Sequence, residues 1–250
     1  MPPQKNSQKL HCRIHRKAEL SSVSIARIFS RRLLTWFEHN DRHLPWRNET
    51  NPYKILVTEK LLQQTDVGHV LKAYEPFFVR FPNLKTLSEA NVEEIERAIR
   101  PLGFWRQRAR QLKRMSIILV REHGARVPMS KEELLKLPGV GRYIANSFLS
   151  FGARRKAFAV DVNVRRVAHR LLYWADQMPK DDELESVFKG IVPPSKSRFL
   201  NWAVFDFAAS VCRKSPRCGV CFARDLCKYY LLSGGIKCTG ANEASLQIRV

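Results

Sequence analysis

No stretch of the 250 residues approaches the roughly 18 consecutive apolar positions that a membrane-spanning helix needs. The N-terminus also lacks the apolar core of a secretory signal, since residues 1–20 place Lys5, Lys9, Arg13, Arg16 and Lys17 against Glu19 alone. The expectation is an intracellular protein, in cytoplasm or nucleoid, with no membrane partner. Sustained strand alternation, internal repeats and low-complexity segments are missing as well, which leaves helix as the regular structure. Acid is scarce. Asp and Glu number 23 against 44 Lys and Arg, a net charge of +21, and so basic a chain gathers polyanions by releasing their counterions. Nucleic acid is the first expectation, although an anionic membrane, a ribosome or a merely basic surface would suit the charge alone. Cysteine is sparse outside one cluster: Cys212, Cys218, Cys221 and Cys227 are bunched, and Cys12 and Cys238 stand apart as expected free thiols. In an intracellular chain such bunching points to a metal or metal–sulfur site over disulfides.

What is present is helical periodicity. Ile25, Ile28, Phe29, Leu33, Trp36 and Phe37 recur at three- and four-residue steps, with Arg27, Arg31 and Arg32 at other positions. The loop LPWRNETNP follows, and Pro52 suits the first turn of the next helix. Further helices are expected over residues 53–69, 71–80, 92–99, 106–122, 131–137, 142–151, 162–174, 181–189 and 196–211. Turn signals at Phe81-Pro82, 101–103, 124–128 and Gly152 separate several of them.

Residues 137–161, LPGVGRYIANSFLSFGARRKAFAVD, hold two features that a core alone does not require. In the hairpin of Pro138, Gly139, Val140 and Gly141, both glycines are free to take positive φ, so that backbone N–H groups point outward together. A helix beginning at Arg142 adds its positive dipole end, and the result is a seat for a phosphate. The second feature is Asp161, which closes an apolar run and opens a helix; a plain N-cap accounts for it equally well. Upstream, Glu59 in ILVTEKLLQQT shares a helix face with Ile55 and Leu62, and burial there would raise its pKa. From periodicity alone, a partly exposed glutamate bonded to a neighbour such as Gln63 is the simpler account. The spacing C-x5-C-x2-C-x5-C suits four-thiolate zinc.

LPGVGR, with V-D-x-N-V-x-R-V placing its aspartate 18 residues after Tyr143, resembles the helix-hairpin-helix signature of the DNA glycosylase superfamily that includes endonuclease III and the MutY-type adenine glycosylases. The similarity runs from about Leu44 to Cys227. It implies an all-α fold of two helical lobes with a DNA-facing cleft between them. One lobe would be residues 52–150 and the other residues 22–47 with 151–232, flanked by a basic arm at 1–21 and a tail at 233–250. It implies that Asp161 stabilises the cationic sugar formed as a base leaves, and that Glu59 positions water or passes a proton. At Tyr143 the bifunctional relatives carry a lysine that attacks the sugar, so a phenol implies a monofunctional enzyme. Adenine glycosylases usually have serine there, and tyrosine resembles the archaeal-type mismatch-specific thymine glycosylases.

Gln63, Gln64, Phe104 and Trp105 match residues that enter the duplex when a base is flipped out, and Arg106 with Arg108 and Arg110 would extend that DNA-facing surface. For Trp105 an ordinary core position is the alternative. The resemblance implies that residues Pro138 to Arg142 grip a backbone phosphate, through a bound monovalent cation as in relatives. The resemblance moves the cysteine site from zinc to a structural [4Fe-4S] cluster, with a first gap one residue shorter than is usual in the family. Excision of thymine or uracil opposite guanine in double-stranded DNA by a monomer is the implied activity. The alternatives are an adenine glycosylase acting opposite guanine or 8-oxoguanine, and a non-catalytic mismatch binder. The chain's end 23 residues after Cys227 opposes the adenine alternative, because those enzymes carry a further domain there.

Overall fold

Short polar side chains start most of the helices. Ser21 accepts from the Ser24 N–H at the head of α1 (Ser22–Phe37), and Asn51 from the Tyr53 N–H at the head of α2 (Pro52–Leu62), where Pro52 takes the first position as expected. Asp66 opens α3 (Val67–Arg80), and Asn83 and Asn91 form capping boxes before α4 (Leu84–Glu89) and α5 (Val92–Ile99). Then come α6 (Trp105–His123), α7 (Lys131–Lys136), α8 (Arg142–Phe151), α9 (Val162–Ala168), α10 (Asp181–Ile191), α11 (Ser197–Ser210) and α12 (Lys228–Leu232). The computed structural model describes residues 20–173 and 176–233, and no strand occurs among them. No helix there is long and apolar enough to cross a membrane. Of the basic arm only Leu20 and Ser21 fall within the described residues; Cys12, Cys238 and nearly all of the tail fall outside.

The single helix expected over residues 53–69 is two. Asp66 accepts from the Gly68 N–H at 2.7 Å and restarts the helix, while Gln64, at φ 52°, turns the chain between them. Helices α4 and α12, of six and five residues, were not expected from the sequence, whereas α7, also of six residues, was. The helix expected from residue 162 changes at His169–Tyr173 into a π-helical turn, and Trp174 lies outside the described residues.

The chain forms two compact units. One is Arg42–Ala159 with Pro193–Asn201; the other is the described part of Met1–Asp41, Val160–Val192 and Trp202–Val250. In the first, α2 is the central helix, with Tyr53 and every residue from Ile55 to Leu61 buried. It packs on α3, α6 and α8, so it has no wet face, which is why two charged residues inside it are buried. In the second unit, α1 buries Ile25, Phe29 and Leu33 and packs on α10. The rings of Phe29, Trp36, Phe207 and Phe222 meet at centroid distances from 5.1 to 6.2 Å, which ties the cysteine loop to α1 and α11. Arg32 strengthens that tie by donating to the Phe222 carbonyl and both Asp225 oxygens.

Candidate active site

Glu59 sits in the closed middle of α2 and is 5% exposed. Burial pushes its carboxyl up to about 7, and the Ser147 hydroxyl beside it pulls weakly the other way. That hydroxyl makes no well-formed hydrogen bond, and Glu59 Oε2 has no partner. An unpaired buried carboxyl oxygen is costly to a core, so its persistence suits a group kept for proton work. Ser147 lies one helical turn beyond Tyr143 on α8, so the half-buried Tyr143 shares the helix face turned to Glu59. Periodicity placed Glu59 on the apolar side; nothing in it singled out Ser147.

The next residue, Lys60, escaped the sequence analysis. It is 1% exposed, and its ammonium donates to Gln63 Oε1 at 2.8 Å, Gln111 Oε1 at 2.7 Å and the Gly139 carbonyl at 2.8 Å. Burial, with Arg108 nearby, lowers it to about 8. The only sign in the sequence is a lysine between apolar neighbours. Arg108 was expected to face DNA and instead is 4% exposed. It donates to the carbonyls of Lys60, Leu61, Gln63 and Gly103 and to Thr65 Oγ1, so it caps the end of α2 and clamps the loops that carry Gln64 and Phe104. Phe104, 65% exposed at φ 54°, and the exposed Gln63 and Gln64 are displayed as wedge residues would be. Trp105 is half-buried at the start of α6, with the exposed Arg106 guanidinium 4.0 Å over its ring.

In the hairpin, Gly139 adopts φ 71° and Gly141 does not, since it is the extended N-cap of α8 at φ −90°. No side chain caps α8, and a Cβ on Gly141 would meet nothing within 4 Å, so the start of the helix is left open beside Gly141. Pro138 is half-buried and Val140 buried, holding the turn to its unit. A Cβ on Gly139 would fall onto Lys60 Nζ and Gln111 Oε1. Gly139→Ala is therefore expected to destabilise by about 1–3 kcal/mol, and Gly141→Ala to stay near the parent. Denaturation midpoints of the two variants check this.

Asp161 does cap α9. Its Oδ1 accepts from the N–H groups of Asn163 (2.9 Å) and Val164 (2.7 Å), and its Oδ2 from Asn163 Nδ2 (2.9 Å). Asn163 Oδ1 accepts from Arg166, which also donates to the carbonyls of Ala208 and Cys212. The carboxylate is thus held, through two side chains, by the start of the cysteine loop. Cys212, Cys218, Cys221 and Cys227 line one cavity with Arg170, Arg217 and Arg224. Burial pushes the thiols of Cys221 and Cys227 up, to about 12 and about 11. Among the described residues no three His, Cys, Asp or Glu side chains are arranged to hold a metal ion.

Residues 57–194 match the HhH-GPD superfamily of base excision DNA repair proteins. The chain belongs to that superfamily. A thymine/uracil-DNA glycosylase of Methanothermobacter thermautotrophicus is 34% identical over 82% of this chain and 94% of its own length. An adenine DNA glycosylase of Buchnera aphidicola is also 34% identical over 82% of this chain, but over 59% of its own length. Among solved structures, a thermostable thymine-DNA glycosylase superposes with a TM-score of 0.78 at 33% identity, covering 82% of this chain and 96% of that one. For this HhH-GPD protein the all-α architecture expected from the helix-hairpin-helix motif is the one observed.

Proposed function

We propose that this protein is a monofunctional DNA glycosylase that acts inside the cell on double-stranded DNA, flips out a thymine or uracil opposite guanine and hydrolyses its N-glycosidic bond. The observation that carries this reading is Tyr143, on the Glu59 face of α8, where a strand-cleaving relative would need an amine. The similarity to thymine and thymine/uracil glycosylases over nearly their whole length supports the same base class.

Each named group has one task. The open N-terminus of α8, with Arg142 and the hairpin, receives a backbone phosphate of the distorted strand. Phe104 and Gln64 fill the gap left by the flipped base. Glu59, poised near neutrality, passes a proton or fixes the water. Asp161, immobilised by three N–H donors, sets a carboxylate against the sugar cation as the bond to the base breaks. Water completes the reaction and leaves an abasic site.

The four cysteines line one cavity and would together supply the four thiolates that hold a [4Fe-4S] cluster. The arginines around the cavity suit the negative charge of thiolate ligands. When bound, the cluster cross-links the loop and supplies no step of the hydrolysis. Through Arg166 and Asn163 this chain's own residues would carry that order to Asp161.

Excision of adenine is the second reading, favoured by a carboxyl that is half protonated near pH 7 and hence able to protonate a purine. Single-turnover assays on duplexes bearing T:G, U:G, A:G and A:8-oxoguanine, each followed by alkali, separate the two. Cleavage of the T or U strand only after alkali is expected. Cleavage at A transfers the assignment to the second reading, and cleavage without alkali removes the monofunctional one.

A further inference from the structure

Gln63, Gln64, Phe104, Gln107, Arg108 and Gln111 line a polar cavity of about 240 Å³ within one unit, beside the exposed Phe104. A carboxamide is ambivalent, with an acceptor at one end and two donors at the other, and a pocket of free glutamines would accept many base edges. Here two of them are not ambivalent. The Lys60 ammonium has three protons and no lone pair, and its three contacts are Gln63 Oε1, Gln111 Oε1 and the Gly139 carbonyl. A group that can only donate requires oxygen, not N–H, from both amides, so their NH₂ ends are turned away from it. Arg108, the other cation at the cavity, gives its terminal NH groups to four carbonyls and a hydroxyl, and does not compete for those oxygens.

We infer that Lys60 is a specificity-determining positioning residue: by holding Gln63 and Gln111 with their N–H groups outward, it makes this cavity a donor surface that selects guanine as the base opposite the excised one. Guanine presents two neighbouring acceptors, O6 and N7, whereas adenine pairs one acceptor with an N–H₂ donor on the same edge. In 8-oxoguanine N7 carries a hydrogen and is itself a donor, so the same pocket rejects it. With its three protons given to Gln63, Gln111 and the Gly139 carbonyl, Lys60 acts through the two amides. The same ammonium bonds the hairpin, so the base-reading cavity and the phosphate seat share one fixed point. This inference rests on the proposed reading that the lesion lies opposite guanine.

The test is equilibrium binding of the full chain to duplexes with a tetrahydrofuran abasic analogue opposite guanine, 7-deazaguanine, 8-oxoguanine or adenine, which needs no excision. The parent is expected to prefer guanine over 7-deazaguanine by about tenfold, the worth of one recognised acceptor. In Lys60→Met the amides turn freely and that ratio falls towards one. Gln111→Glu keeps an oxygen on Lys60 and replaces the outward N–H by an acceptor, so it also loses the ratio, and it decides the matter should Lys60→Met fail to fold. A parent without the preference, a variant that keeps it, or variants that weaken all four duplexes equally would overturn the inference. A parent that shows the preference yet releases neither thymine nor uracil leaves the inference standing and removes only the proposed base.

Discussion

Asp161→Asn is expected to fold as the parent does and to lose base excision by a factor of roughly 10²–10³ or more. Asparagine ranks with aspartate as an N-cap, and its oxygen can keep the bonds from the Asn163 and Val164 N–H groups. The contact from Asn163 Nδ2 to Oδ2 is lost, since two NH₂ groups would then face each other, while the bond from Arg166 holds Asn163 Oδ1 and keeps the amide from turning. What disappears is the negative charge that the proposed reaction sets against the sugar cation. Single-turnover excision alongside a thermal melt measures both halves. Normal turnover in a folded Asp161→Asn protein would show that the residue is a cap and nothing more.

Glu59→Gln is expected to trade activity for stability, and the sign follows from the direction of the shift. Burial raises this carboxyl from 4.5 to about 7, so the folded protein holds the proton where the unfolded chain has released it. Stability due to this group is intact below about pH 4.5, falls as the pH climbs to about 7, and stays lower above that. The shift from 4.5 to about 7 corresponds to roughly 3 kcal/mol. Glutamine carries no such penalty, so the variant should match the parent near pH 4 and exceed it in denaturant resistance at pH 8. Excision should fall by roughly 10²–10⁴, the usual worth of a positioned proton donor or acceptor. In the parent, a rate that declines as the pH rises through 7 assigns Glu59 the proton-donating role. A rate that climbs instead assigns it the water. An unchanged stability gap between pH 4 and pH 8 would mean that Glu59 is not buried as described.

In the proposed reaction the two carboxylates owe their readiness to different devices. Glu59 is made reactive by what it lacks, a partner for Oε2 in a helix with no wet side. Asp161 is made effective by what it has, three donors that fix its direction, and behind them an arginine anchored to the carbonyls of Ala208 and Cys212. Disorder in the cysteine loop would thus reach Asp161 through Arg166 and Asn163, without any redox step.

The sequence by itself determined what depends on neighbours along the chain. Helical periodicity, the turn at Pro138 to Gly141, the cap at Asp161 and the cysteine spacing are local, and each is present in the structure. Glu59 shares a face with Ile55 and Leu62, but periodicity favoured a partly exposed glutamate, and the resemblance alone singled it out. Packing decided the rest, because it joins residues whose separation carries no period. Lys60 reaches Gln111 across 51 positions and Gly139 across 79, and Arg108 reaches back to carbonyls 45 to 48 residues away and to a hydroxyl 43 away. A basic residue in sequence looks alike whether it will meet a phosphate or a row of backbone carbonyls. Only burial, which removes water as the alternative partner, turned Arg108 from an expected DNA contact into a clamp, and Lys60 from an unnoticed lysine into the fixed point of the hairpin.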